Sequence, residues 1–126
     1  MKKLLPPIAA LLLLFLLSAL NGTVLTHRVE HWQQQISQAE NWAYRWQWGQ
    51  TLTALEESYR DWHNTQVYLH IVLDHTAVDD AEAMYRRARA FALAEEPSEF
   101  HAEIAHLHAQ LTMMANMERF SLQNIL

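Results

Sequence analysis

The chain begins with an apolar segment in which no residue from 4 to 26 is charged. Pro6 and Pro7 suit the first turn of a helix, where a missing amide donor costs nothing. A helix over residues 7–25 would be roughly 28 Å long, close to the ~30 Å hydrocarbon thickness of a bilayer. The pattern predicts an N-terminal signal anchor, residues 1–26, that crosses a membrane once.

A cleaved signal peptide is the alternative interpretation of this segment, because a short basic start before an apolar run is typical of one. Cleavage favours small residues at positions −3 and −1. In the triplets at residues 17–19 and 18–20, one of these two positions is small and the other is a leucine, so neither triplet is a good cleavage site. The sequence therefore favours an uncleaved anchor.

The charges beside the anchor predict its orientation. Lys2 and Lys3 precede it and outweigh Arg28, which follows it, and positive charge is retained on the cytoplasmic side. We expect a single-pass protein of the cell membrane with a cytoplasmic N-terminus. Residues 27–126 would then form an extracytoplasmic domain.

After the anchor, hydrophobic residues recur at alternating steps of four and three, which places them on one stripe of a helix. The first stripe comprises Leu25, Val29, Trp32, Ile36, Ala39, Ala43 and Trp46. Its rhythm becomes ambiguous after Glu40. Asn41 and Thr51 could each cap a new helix, and Gly49 could end the first one. We expect the turn near residues 47–50.

A second helix is predicted by the same spacing further along the chain. Its stripe comprises Leu52, Leu55, Tyr59, Trp62, Gln66, Leu69 and Leu73. A third helix should begin near Thr76, whose hydroxyl can cap the amide of Asp79, and should stop by Glu95 because Pro97 follows. A fourth should run from about Ser98 to about Met117, leaving residues 120–126 as a tail.

Together these patterns predict an all-α protein, in which the transmembrane helix is followed by an antiparallel bundle of about four helices built as two stacked hairpins. Two glycines and three prolines in 126 residues support this class, since strand-rich folds need more turn residues.

Charge and composition exclude several functions. The chain has no cysteine, and beyond Lys2 and Lys3 it carries seven arginines against fourteen carboxylates, a formal charge of −7. Such a surface repels phosphate backbones, so we expect no nucleic-acid partner. No nucleophile elbow or glycine-rich phosphate loop occurs. We therefore expect no enzyme activity and no cofactor.

Eight histidines raise the question of a metal or proton site. His75, Asp79 and Glu82 follow the spacing i, i+4, i+7, which aligns three ligand types on one helix face. A structural zinc site normally closes four ligands, and this group has three, so no metal site is predicted. A histidine-based envelope sensor of metal or pH, built on these three residues, is the alternative function.

The tryptophans are concentrated in the first half of the domain. Trp32 lies closest to the predicted bilayer, about 9 Å beyond it, and is the one tryptophan that could reach head groups. Most are expected to pack in the core. Trp42 and Trp48 lie off the main stripe and are predicted to form an interaction surface. The leading hypothesis is therefore a non-enzymatic module that binds a protein partner or a second copy of itself.

The sequence resembles a family of small bacterial membrane-anchored helical proteins that carry a domain of unknown function. The likeness spans essentially the whole chain. It rests on the anchor, Trp48, Leu52, Leu55, Trp62, His75, the acidic pair Asp79 and Asp80, and the C-terminal Ser-Leu-Gln-Asn-Ile-Leu. Gln47 stands where the family has an acidic residue, and Thr51 where alanine is common. The resemblance implies the same anchored helical topology, and it implies no activity.

Overall fold

A computed structural model describes residues 3–125, apart from the side chains of residues 18, 21, 22 and 118–125. Within these residues the chain forms five helices and no strand, so the predicted all-α class is confirmed. The helices are α1 (Leu5–Tyr44), α2 (Trp48–Asn64), α3 (Gln66–Val72), α4 (His75–Leu93) and α5 (Pro97–Ile125).

Four of these helices form an antiparallel bundle. α1 and α4 each pack against both α2 and α5, while the short α3 packs against α2 and α4. The direction is visible in the contacts: Arg28 of α1 bonds to Thr65, whereas Gln35, further along α1, bonds to Asp61. The predicted bundle of about four helices is confirmed, with α3 as a short addition.

The core contains most of the predicted stripe of α1, together with apolar residues of α4 and α5. In α1, the residues at stripe positions 25, 29, 32, 36, 39 and 43 expose at most 3% of their surface. Trp46, predicted to continue that stripe, is exposed instead. In α5 the apolar residues at steps of four and three are buried throughout: Phe100, Ile104, Leu107, Leu111 and Met114.

The buried face of α2 is rotated from the predicted one. Leu55, Trp62 and Leu69 of the combined α2–α3 stripe are buried as predicted. Four residues before each of them, however, the buried positions are polar and small: Thr51, Ser58 and Thr65. The predicted Leu52, Tyr59 and Gln66 are half-buried. Small side chains at these positions let α2 approach its neighbours closely.

One buried hydrogen-bonded chain joins three helices. The Ser58 hydroxyl of α2 donates to the carbonyl of Trp32 in α1 at 3.2 Å, and it lies 2.8 Å from the Tyr85 hydroxyl of α4. Because Ser58 has only one hydroxyl proton, Tyr85 must be the donor in the second bond. Burial raises the pKa of Tyr85 above its ordinary value, so this donor stays protonated.

The turn after α1 is built on a left-handed residue. Trp46 adopts φ 60°. The amides of Trp46 and Gln47 donate to the carbonyls of Ala43 and Trp42, both at 3.0 Å, which is the bonding pattern of a Schellman motif. Glycine usually occupies the left-handed position of this motif, and here tryptophan does.

The predicted turn at residues 47–50 is therefore wrong by about two residues. α2 already begins at Trp48, so Gly49 lies within the helix and does not end one. The Thr51 hydroxyl donates to the carbonyl of Gln47, four residues back, and so does not cap the helix from outside.

Two further boundaries differ from the prediction. The second helix is interrupted at Thr65, where α2 gives way to α3. α4 begins at His75 because Asp74 is its N-cap, and the Asp74 carboxylate accepts from the amide of Thr76 at 3.4 Å. The predicted capping role of Thr76 toward Asp79 is wrong, since Thr76 already lies inside the helix.

The last turn and helix follow the proline. α4 ends at Leu93, as the prediction of a stop by Glu95 required. Glu95 adopts φ 54°, and the amide of Glu96 donates to the carbonyl of Phe91 at 3.0 Å, a second Schellman motif. α5 continues to Ile125, so the tail predicted for residues 120–126 is wrong up to Ile125. The side chains of that segment and residue 126 itself lie outside the described residues.

The N-terminal half of α1 projects beyond the bundle. Its large apolar side chains before Leu25 are 45–69% exposed wherever the structure describes them. Across the described residues, no helix offers an apolar stretch long enough to cross a membrane. The predicted span includes Ser18, Asn21 and Gly22, whose side chains lie outside the described residues, and the crossing itself stays a prediction.

Candidate interaction surface

Five aromatic rings contact one another in series at the end of the bundle where the α1–α2 and α4–α5 turns lie, which we call the distal end. Tyr44 stacks on His101 at 4.0 Å between ring centroids, and His101 meets Phe100 at 5.7 Å. Phe100 meets Trp48 edge-on at 5.6 Å, and Trp48 meets Trp46 edge-on at 6.2 Å. We call this series the aromatic ladder.

The two ends of the aromatic ladder are exposed and its middle is buried. Tyr44 and Trp46 are 64% and 66% exposed, whereas Trp48 is 6% exposed and Phe100 is fully buried. Edge-to-face packing of buried rings contributes roughly 1 kcal/mol per pair beyond the burial itself. The buried rings therefore fix the position of the exposed ones from below.

His101 contacts both the exposed Tyr44 and the buried Phe100 in the aromatic ladder. Its Nδ1 lies 3.2 Å from a carboxylate oxygen of Glu40, and both side chains are largely buried. This contact sets the plane of the imidazole ring, on which Tyr44 stacks. A large, oriented aromatic surface of this kind is typical of residues that anchor protein interfaces.

The structure separates the two tryptophans predicted as an interaction surface. Trp48 is buried in the core, so its ring is not available to a partner. Trp42 is half-buried, with the guanidinium of Arg45 5.5 Å from its ring centroid. Its part in an interface stays a prediction. Tyr44 and Trp46 are the exposed rings of the aromatic ladder. Sequence reasoning missed both, because it assigned Trp46 to the core stripe and gave Tyr44 no role.

The residues of the alternative sensor cluster point to different neighbours. Glu82 accepts from the Tyr59 hydroxyl at 2.7 Å and pairs with Arg86 at 3.0 Å. The Nδ1 atom of His75 lies 2.9 Å from that of His70, and Asp79 is exposed. In the part of the chain that the structure describes, no three histidine, aspartate or glutamate side chains are grouped to hold a metal ion.

The fold and this surface define the chain as a small helical-bundle domain with an exposed apolar extension. It belongs to the family described as a domain of unknown function, DUF4363, whose model matches residues 21–125. No curated protein and no solved structure matches the chain. The match confirms that the chain carries a domain of unknown function. The bacterial source and the membrane anchor expected from the resemblance stay predictions.

Proposed function

We propose that the chain is a membrane-anchored, non-enzymatic interaction module of the extracytoplasmic side. In this proposal the N-terminal half of α1 is the single-pass anchor, and the exposed rings of Tyr44 and Trp46 bind a protein partner. The observation that carries the proposal is the placement of two exposed aromatic rings at the distal end of an otherwise acidic domain.

The apolar half of α1 supports the anchor. Its leucines, isoleucine and phenylalanine are exposed on every face of the helix, and a soluble surface rarely carries an apolar area of that extent. Lipid would cover all of these faces at once, whereas the packing of one more helix would cover a single face.

The distance along α1 from Leu25 to Tyr44 supports a protein, rather than lipid, as the partner of the exposed rings. Tyr44 lies nineteen positions after Leu25, where the core begins, which is about 29 Å at the rise of an α-helix. The aromatic ladder would therefore stand well outside the head-group region. A partner in the extracytoplasmic space, rather than lipid, would meet Tyr44 and Trp46.

Site-specific photo-crosslinking in intact cells tests this proposal. A photoreactive amino acid replaces Trp46 in one variant and Val67 of α3 in the matched control, since Val67 is also apolar and exposed. We expect a discrete crosslinked species from position 46 that disappears when Tyr44→Ala is added, and none from position 67. Equal products at both positions, or none at position 46, would contradict the proposal. A product twice the mass of the chain would identify self-association.

The orientation is tested separately. A cysteine introduced at Ala102, an exposed position of α5 in this cysteine-free chain, should react with a membrane-impermeant maleimide applied to intact cells. Labelling only after the cells are lysed would place the domain on the cytoplasmic side and overturn the topology.

A proton-responsive sensor is the second candidate, and one contact favours it. The Nδ1 atoms of His70 and His75 are 2.9 Å apart, so at most one of them can carry a proton while the contact persists. A proton on both Nδ1 atoms would therefore break this contact at the α3–α4 junction. Melting curves at pH 5 and pH 8, compared with those of a His70→Gln variant, test this. Identical pH dependence in both proteins would remove this candidate.

A further inference from the structure

A groove between α2 and α4 lies apart from the aromatic ladder. Its volume is about 470 Å³, within the range of small-molecule sites. The half-buried Tyr59 forms its accessible floor above the buried Leu55 and Tyr85, and three arginines stand around it: Arg60, Arg86 and Arg89. These are three of the seven arginines in a domain whose formal charge is −7.

The three arginines differ in how far their charge is neutralised. The Arg86 guanidinium is 3.0 Å from Glu82, and Arg89 Nε donates to Glu56 at 3.3 Å. Arg60 has no ion-pair partner among the described residues. The groove is therefore left with one uncompensated positive charge, at an exposed guanidinium next to an apolar floor.

The floor is held in place before any ligand binds. The Tyr59 hydroxyl donates to Glu82 at 2.7 Å, and the Tyr59 ring lies between the rings of His63 and Tyr85, at 5.5 Å and 5.6 Å between centroids. Tyr85 is fixed in turn by Ser58. A rigid aromatic floor lowers the entropic cost of binding a flat group.

We propose that this groove binds a small organic acid, whose carboxylate pairs with Arg60 and whose flat apolar body lies on the Tyr59 ring. The planar guanidinium matches a carboxylate with two parallel hydrogen bonds. A single negative charge matches the single uncompensated arginine. The proposal is independent of the partner proposed for the aromatic ladder, because different residues carry it.

Fluorine NMR titration of the full chain in detergent micelles tests the site, with a fluorinated naphthoate as the probe. The corresponding fluorinated naphthyl alcohol is the neutral control, and empty micelles correct for partitioning. Loss of one charge-assisted hydrogen bond corresponds to about a tenfold change in Kd, so we expect the alcohol to bind about tenfold more weakly. Binding of the acid should also weaken as ionic strength rises from about 0.05 M to about 0.5 M.

Three variants test whether Arg60 is the arginine that pairs with the carboxylate of the probe. Arg60→Gln should raise the Kd for the naphthoate about tenfold, and Arg60→Lys about threefold, because lysine keeps the charge but loses the planar fork. Arg45→Gln, at an exposed arginine of the distal end, should leave the Kd within twofold. Circular dichroism shows that each variant is folded. Equal binding by Arg60→Gln and the unmodified chain, equal binding of acid and alcohol, or no binding of the acid would overturn the proposal.

Discussion

The buried hydrogen-bonded chain through Ser58 makes a sharp prediction about stability. Ser58→Ala removes the acceptor that the described residues give the Tyr85 hydroxyl, which then lies buried without a partner among them. An unsatisfied buried hydroxyl costs about 1–3 kcal/mol. The carbonyl of Trp32 loses less, because a helix carbonyl also accepts an amide from the next turn. We expect Ser58→Ala to lower the free energy of unfolding by about 2 kcal/mol.

The second substitution should reverse part of this loss. Tyr85→Phe alone removes the donor and leaves the bond from Ser58 to Trp32 intact, so we expect a loss of about 1 kcal/mol. In the double variant neither polar group remains, and replacing both partners by apolar groups can be nearly neutral. The double variant should therefore be more stable than Ser58→Ala, by about 1 kcal/mol.

Urea unfolding of the full chain in detergent measures these differences, with tryptophan fluorescence as the signal because the buried Trp62 ring lies 5.4 Å from that of Tyr85. Linear extrapolation gives the free energy of unfolding for all four proteins of the cycle. A double variant less stable than Ser58→Ala would refute the reasoning, because it would mean that Tyr85 is not left unsatisfied when Ser58 is removed.

Two further predictions concern the turn between α4 and α5 and the dependence of stability on pH. Glu95→Gly should raise the free energy of unfolding by about 1 kcal/mol, because glycine adopts the φ of 54° at this position without strain. The control Glu99→Gly, within α5, should lower the free energy of unfolding by about as much. Thermal melts in which both variants are less stable than the unmodified chain would contradict this prediction. Burial lowers the pKa of His108, opposed by the nearby charge of Glu40. The unfolded chain therefore binds this proton more readily, so the domain should lose stability as pH falls from about 6.5 toward the folded-state pKa. An NMR titration that places the pKa of His108 at or above 6.5 would contradict this.

The sequence predicted the helices and most of the core, because large apolar residues at heptad spacing leave few other ways to be buried. It failed for α2, where the buried face is turned by about one position. Thr51, Ser58 and Thr65 are polar, so a count of apolar residues passes over them. Each hydroxyl bonds to a backbone carbonyl, and only the packed structure shows that these polar side chains are satisfied.

The candidate surface could not be predicted for a related reason. Helix ends are usually recognised by glycine, but Trp46 and Glu95 hold the two left-handed positions. Because Gly49 is the nearest such signal, the sequence predicts the first turn too late and assigns Trp46 to the core. The groove likewise depends on Arg60 of α2 and on Arg86 and Arg89 of α4 meeting across two helices, a relation that spacing within one helix does not contain.

α1 runs for forty residues without a break, from Leu5 to Tyr44. The exposed N-terminal half and the half that packs in the core therefore belong to one continuous helix about 60 Å long. If α1 and the bundle tilt together by about 10° about Leu25, Tyr44 is displaced by about 5 Å sideways. The surroundings of the exposed N-terminal half of α1 therefore influence the direction in which the rings of Tyr44 and Trp46 face.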